Sequence, residues 1–351
     1  LNKKVDFIII GQGIAGTWLA FQLIKRNKKV LIVDERNSNS SSRVAGGIYN
    51  PLIPKRQRLA YLAQEIYPSL SNDYHELEEF INEKVLFESP IHYILESQSD
   101  YNNWATLSQT EPFNQFVKFK DESLSPNILS PFGVIEILKS GWVNIPLLLD
   151  TFSKKIEPPN YFLNQNFDED LLETSDHKFQ YQDFEADAIV YCVGNQIKAL
   201  KHLENITLKP AKGEVLTVQL NETFSNLIPQ QGIFMLPINE QTFRIGSTFE
   251  WIDLSDEATE KGKTEILHKW QKYYTGDFKI LEHKAGIRPS SKDRKPILGK
   301  IKPYHNVYVF NGLGSKGVAL APYFSKMLVE NMIHQQIIDK EVYVQRLFRN
   351  V

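Results

Sequence analysis

A chain of 351 residues divides into about two domains of ordinary size, and 42% hydrophobic with 23% charged residues is the make-up of a globular protein with a real core. Forty basic against 42 acidic residues leave a formal charge of −2, which disfavours a global positive field for nucleic acid or anionic membrane while leaving room for a local patch. The single cysteine, Cys192, excludes an internal disulfide and cysteine-type metal cages, and no stretch reaches the roughly 20 apolar residues of a membrane-crossing helix.

The chain opens directly on a fold motif, without the long apolar stretch and cleavage site of a secretory signal, so a cytoplasmic location is expected. Val5 to Ile10 is a β-branched and aromatic run that predicts a strand. Gly11-Gln12-Gly13-Ile14-Ala15-Gly16 predicts a tight turn into a helix with Ala20, Leu23 and Ile24 on one face. A second strand, Val30-Leu31-Ile32-Val33, ends in Asp34 and completes one βαβ unit. Gly11 allows the turn, Gly13 lets the backbone approach a pyrophosphate, and Gly16 lets helix and strand pack closely. The helix N-terminus at Ile14 and Ala15 then offers free N–H groups and a positive dipole end to phosphates. Asp34 lies 21 residues beyond Gly13, near the spacing at which a carboxylate accepts the hydroxyls of an adenosine ribose, with Glu35 beside it. The unit predicts a dinucleotide and does not choose between NAD and FAD.

Ser40 to Pro51 is too rich in glycine and small side chains for ordinary helix, which puts Arg43, Ala45, Gly46 and Gly47 where backbone approaches a ligand; a solvated serine loop is the alternative. Lys55-Arg56-Gln57-Arg58 follows, either a phosphate-contacting patch or a solvated charged loop. Val85 to Ser130 mixes short apolar runs with polar residues, and 210 to 250 alternates apolar and polar positions, as antiparallel strands do. Asp256-Glu257, followed by Ile266 and Trp270, predicts an amphipathic helix that begins with its acids. A late strand is expected over Asn306 to Phe310 and a last long helix over Val318 to His334.

Further motifs fall in order along the chain: Gly141-Trp142-Val143-Asn144-Ile145-Pro146, Ala186 to Gly194, Lys212-Gly213-Glu214, and Phe243 to Thr248 with Glu250. Ala285-Gly286-Ile287-Arg288-Pro289 follows, with Asp293, Pro296 and Gly299, and then Asn311-Gly312-Leu313-Gly314-Ser315-Lys316-Gly317-Val318 with Ala321-Pro322. With the nucleotide unit and Ala45-Gly46-Gly47, this series resembles the D-amino-acid oxidase superfamily of FAD-dependent oxidoreductases, which includes glycine and sarcosine oxidases. The resemblance runs over almost the whole chain. It implies FAD as cofactor and an α/β plus α+β fold, a Rossmann-type FAD-binding domain with a discontinuous antiparallel-sheet substrate domain. The FAD domain is expected from 1–84, 131–209 and 285–351, and the substrate domain from 85–130 and 210–284.

In this resemblance Lys212-Gly213-Glu214 takes the place of a basic-Gly-acceptor turn, and Gly194 ends a strand close to the cofactor. Gly312, Gly314, Ser315, Lys316, Gly317 and Val318 form the loop and helix N-terminus that face the flavin ring. Within the superfamily, Gly314-Ser315-Lys316-Gly317 and Ile48-Tyr49-Asn50-Pro51 are most similar to the FAD domain of the bifunctional bacterial enzymes that mature the wobble uridine of tRNA. Those domains remove a carboxymethyl group from a secondary amine that is an N-substituted glycine. This sequence carries no methyltransferase half, so only a stand-alone oxidase activity is implied, with tRNA a possible partner that the net charge does not favour.

Flavin-dependent amine oxidation needs a hydride from the carbon beside nitrogen to reach flavin N5, so the protein mainly supplies position, desolvation and charge. Arg288 is the first candidate, because a planar guanidinium binds a carboxylate through two parallel hydrogen bonds; a structural ion pair with Asp293 is the alternative. Lys316 and the N–H groups near Gly317 are expected to stabilise the reduced flavin, against the alternative of a lysine exposed on a turn. Tyr49, as a substrate contact, with Phe249 and Trp251, could wall the site or belong to the core. The eight histidines show no metal-binding spacing and Gly-x-Ser-x-Gly is absent, which disfavours metal and serine hydrolysis. The expected function is an oxidase or dehydrogenase of a small amine or amino acid, with a stand-alone tRNA oxidase and a flavin-binding scaffold or sensor without turnover as alternatives.

Overall fold

Strand Lys3–Ile10 forms the spine of an eight-stranded sheet in the computed structural model, which describes residues 3–120, 123–175, 177–224 and 226–348. Val30–Asp34 pairs parallel on one side of it and Phe184–Tyr191 on the other, with Tyr161–Asn164 and Val307–Asn311 extending the parallel set. Ile8, Ile9, Leu31, Ile32, Ile189 and Val190 have no exposed surface, as expected of parallel strands covered on both faces. Helix Ile14–Ile24 packs beside helix Gly317–His334 on one face. The carboxyl ends at Ile10, Asp34, Tyr191 and Asn311 lie along one edge, where open parallel sheets bind ligands.

A second eight-stranded sheet is mostly antiparallel, ordered Phe278–Arg288, Ala211–Leu220, Thr242–Gly246, Ile233–Pro237, Ile228–Gln231, Ile91–Ile94, Val134–Ile137 and Val117–Lys120. The apolar and polar alternation of 210–250 is the pattern of these half-buried strands. Val134–Ile137 belongs to this sheet, past the expected boundary at 130, because it pairs with Ile91–Ile94. Lys212-Gly213-Glu214 is strand interior rather than a turn, with Gly213 opposite Gly286 and Ala211 opposite Arg288.

The helix expected from Asp256 begins later, over Glu260–Trp270, because the Thr259 hydroxyl accepts the Gly262 N–H at 3.0 Å and caps it. Ser41–Val44 forms one helical turn inside the stretch expected to be non-helical. Among the described residues no helix is long and apolar enough to cross a membrane, and no group of three acidic, histidine or cysteine side chains could hold a metal ion.

Candidate active site

The turn after the first strand is shaped by what its glycines leave out. Gly11 sits at φ +96° and donates its N–H to Val33 O at 2.9 Å. A methyl on Gly16 would lie 1.9 Å from Gly11 O, so only glycine lets helix Ile14–Ile24 sit this close to the strand. Both oxygens of Asp34 accept backbone N–H groups, Oδ2 from Gln12 at 2.7 Å and Oδ1 from Arg36 at 2.6 Å, which fixes the carboxylate beside the turn. Ser42 Oγ accepts the Ile14 N–H at 3.1 Å and ties the Ser41–Val44 turn to the helix start. Arg43 pairs with Asp150 at 2.7 Å, while Glu35 is exposed at the rim.

One cavity of about 1300 Å³ runs from this turn along Arg43, Ala45, Gly46 and Gly47, past Gly194, and on to Arg288 and the Gly312–Val318 segment. Gly11, Gly13, Ile14, Ala15, Asp34 and Glu35 line it, and so do Gly312, Gly314, Ser315, Lys316, Gly317 and Val318, with Gly317 packed against Ile14. Gly16 lies behind the wall and acts through packing. Gly46 faces the second sheet so closely that a methyl there would be 2.8 Å from the Phe234 ring. A cavity lined by the glycine turn, the fixed Asp34 carboxylate and the N-terminus of helix Gly317–His334 fits a dinucleotide of the size of FAD.

Tyr49 does not reach this cavity. It pairs with Gly141 in a small sheet, and a methyl on Gly141 would be 2.6 Å from its hydroxyl oxygen. Its neighbour Ile48 lines the cavity instead, since successive strand side chains point to opposite faces. The expectation that Tyr49 contacts substrate is therefore corrected: it is core.

Arg288 ends strand Phe278–Arg288 with its guanidinium in the cavity wall. Nη1 donates to Lys212 O at 3.1 Å and Nη2 to Ser247 Oγ at 2.7 Å, and the group lies over the Phe249 ring, 4.1 Å from its centre. Among the described residues it has no acidic partner. Asp293 is engaged elsewhere, accepting from Arg346 Nε and Ser291 Oγ, each at 2.9 Å. Burial pushes the guanidinium down to about 10, a cost that a bound carboxylate offsets.

Lys316 precedes helix Gly317–His334, and its Nζ donates to Asn50 O at 2.9 Å. The same carbonyl accepts the buried Tyr67 hydroxyl at 2.6 Å. Burial pushes the ammonium down to about 8, so this is not a lysine extended into water from a turn. The first-turn N–H groups of Gly317 and Val318, without intrahelical acceptors, share the cavity wall with it. Lys316 and Arg288 bring two cations without acidic partners, among the described residues, to one cavity.

Lys212 and Ser247, which hold Arg288, lie in two of the sequence motifs, Lys212-Gly213-Glu214 and Phe243 to Thr248, whereas the partners that fix Lys212 and Glu214 were not legible there. Lys212, with no exposed surface, donates from Nζ to Asp253 Oδ2 at 2.6 Å and to Ser255 Oγ at 3.1 Å. Buried Glu214 accepts Thr259 N and Oγ1 at 2.9 and 2.8 Å and lies 2.8 Å from His283 Nε2. The available signal was two opposite charges bracketing a glycine in an otherwise apolar strand. Phe249 and Trp251 both line the cavity, half exposed.

The sequence profile of the family described as FAD dependent oxidoreductase (DAO) matches residues 6–331. The tRNA 5-methylaminomethyl-2-thiouridine biosynthesis bifunctional protein MnmC of Legionella pneumophila (strain Corby) is 23% identical over 372 residues, covering 94% of this chain. The chain spans only 54% of that relative's length. Glycine oxidase of Pseudomonas aeruginosa is 22% identical over 370 residues, covering 96% of this chain and 97% of its own. Iminodiacetate oxidase (IdaA) from Chelativorans sp. BNC1 has the same fold, with a TM-score of 0.77, 20% identity and coverage of 95% and 96% of the two chains.

Proposed function

The chain belongs to the FAD dependent oxidoreductase family, and from that premise we propose that it oxidises the carbon–nitrogen bond of a small amino acid or N-substituted glycine. The observation that carries this reading is Arg288, a half-buried guanidinium in the cofactor cavity, held by Lys212 O and Ser247 Oγ and lacking an acidic partner among the described residues. Arg288 binds the substrate carboxylate and fixes the direction from which the adjacent C–H bond is presented. Bound FAD supplies the two-electron acceptor for that bond. Gly11, Gly13 and Asp34 would hold its diphosphate and ribose, with Gly16 letting the helix sit close behind them, and Lys316 with the N–H groups of Gly317 and Val318 would provide positive potential to it. The amine nitrogen gives its lone pair to the new C=N bond, and water hydrolyses the imine. Iminodiacetate, the substrate in the name of one protein of like fold, is itself an N-substituted glycine.

The test is anaerobic mixing of the FAD-loaded protein with glycine, sarcosine and iminodiacetate. Bleaching of the yellow absorbance by at least one supports the reading. Persistent colour with every amine, while the flavin stays reducible by dithionite, favours a non-catalytic flavoprotein.

A second reading, oxidation of an N-substituted glycine carried on tRNA, draws on the cavity's rim. Arg58, Lys209, Lys292 and Arg294 line it, Lys55 and Arg56 stand exposed nearby, and none of the six has an acidic partner among the described residues. In a chain of net charge −2 this is a local positive field at the mouth. Mass spectrometry of wobble uridines after deletion of the gene separates the two readings.

A further inference from the structure

The loop from Ser247 to Thr259 carries exposed apolar side chains and is nevertheless tied down. Glu250 exchanges backbone bonds with Lys212 at 2.8 and 3.0 Å, and the Glu250 carboxylate accepts the Trp251 and Ile252 N–H groups at 2.8 and 3.0 Å. Asp253 and Ser255 satisfy the Lys212 ammonium, which has no exposed surface. Glu214, in the same strand as Lys212, holds Thr259 at the loop's far end. Lifting the loop away would take from the buried Lys212 ammonium both of its hydrogen-bond partners and leave only the Glu214 carboxylate, 3.9 Å away. The loop is thus a fixed wall of the cavity.

On that wall Phe249 is 50% and Trp251 54% exposed, with ring centres 6.2 Å apart and planes tilted by 30°. Leu254 joins them, and all three line the cavity that contains Arg288. Apolar rings fixed beside an anion clamp are a platform whose conformational entropy has already been lost. The amino group of an N-substituted glycine is one carbon from the carboxylate, so what the nitrogen carries starts close to Arg288, whose guanidinium lies 4.1 Å from the centre of the Phe249 ring. We propose that Phe249, Trp251 and Leu254 form a subsite for a flat apolar group on the substrate's nitrogen. The inference rests on the reading of Arg288 as the carboxylate clamp. The preferred substrate class is then an N-arylmethyl-type glycine rather than glycine itself.

The experiment uses the FAD-loaded protein and two ether analogues that have no amine to oxidise, methoxyacetate and benzyloxyacetate, with affinities measured by titration calorimetry. Benzyloxyacetate should bind about tenfold more tightly, the worth of one ring contact. Trp251→Ala should remove most of that ratio, and Trp251→Phe should retain it. Equal binding of the two ethers, or an equal loss of both in Trp251→Ala, overturns the subsite. Flavin bleaching by N-benzylglycine and sarcosine is followed in parallel. If both amines bleach the flavin but the ethers bind alike, the subsite falls and the oxidase reading stands. If benzyloxyacetate binding depends on Trp251 but no amine bleaches the flavin, the subsite stands and the oxidase reading falls.

Discussion

Arg288 pairs with Ala211, two residues from Gly213 on the neighbouring strand, and its guanidinium reaches over Gly213 so closely that a methyl group there would lie 1.9 Å from Nη2. The guanidinium is seated over the glycine, and the strand register puts it there. Gly213→Ala should displace the clamp without touching the nucleotide turn. Because a misplacement of about 1 Å in a reacting group can cost on the order of 100-fold, kcat/KM for sarcosine or its equivalent should fall by about that factor. Flavin content, read from absorbance, should stay at the wild-type level. Unchanged kcat/KM with full flavin content would remove Arg288 from the substrate site. Arg288→Lys should show a comparable loss, since an ammonium cannot make the paired hydrogen bonds of a guanidinium.

Lys316 gives a pH signature to the FAD-free protein. Its folded-state value, about 8, is below the roughly 10.4 of a lysine in an unfolded chain. Between those values the unfolded state binds more protons, so stability rises with pH across the window. Below about 8 the cost of burying the charged ammonium is fully present, and near 10.4 it has been lifted. Urea unfolding of wild type and Lys316→Met from pH 7 to 10.5 should show the wild type gaining on the variant as pH rises. Parallel curves would mean that the ammonium is solvated.

The tight turn at Gly11 to Gly16 was legible in the sequence for a physical reason, whereas Arg288 stood out through the family motif that carries it. Gly11, Gly13 and Gly16 report backbone constraints that act within a few residues, and Arg288 sits in a local Gly-Ile-Arg-Pro context. Tyr49 misled because alternation along a strand shows that neighbours face opposite ways but not which faces the ligand. The contacts around Lys212 and Glu214 were illegible because they join 212 to 253 and 214 to 283 from separate strands and a loop, which only the folded sheet brings together. The late helix start was missed because Asp256 and Glu257 offered acids to the dipole, whereas the Thr259 hydroxyl supplies the actual cap.

Gly16→Ala tests the cradle directly. The added methyl would meet Gly11 O at 1.9 Å, a backbone atom with no freedom to move aside. Helix Ile14–Ile24 must then shift off strand Lys3–Ile10, pulling its N-terminal N–H groups away from the phosphate position. The variant should purify nearly colourless and take up added FAD at least about 100-fold more weakly, a loss of about 2.7 kcal/mol. Full yellow colour at wild-type affinity would place the diphosphate elsewhere.

Lys212 and Asp253 should behave as a coupled pair. Asp253→Asn leaves the Lys212 ammonium, which has no exposed surface, with only the Glu214 carboxylate at 3.9 Å, so the variant should unfold at a lower temperature than wild type. Lys212→Met removes the buried charge and keeps the aliphatic volume. The double variant should therefore unfold at a higher temperature than Asp253→Asn alone. Additive losses in the two single variants would show that the contact contributes nothing to anchoring the loop.

The basic rim separates small-molecule from RNA chemistry through salt. Lys55, Arg56 and Arg58 sit next to one another beside the cavity, and no ion pair occupies them among the described residues. If the substrate amine is carried on tRNA, these cations release counterions from phosphates, so log affinity must fall steeply with log salt concentration. Replacing all three by Gln should reduce that slope by about 2–3, at roughly 0.7–0.9 per phosphate contact. The flavin-bleaching rate with a free N-substituted glycine involves no phosphate and should not follow the same salt law. A tRNA affinity whose salt slope is identical in wild type and triple variant would assign the rim to solvent and leave the small amine as substrate.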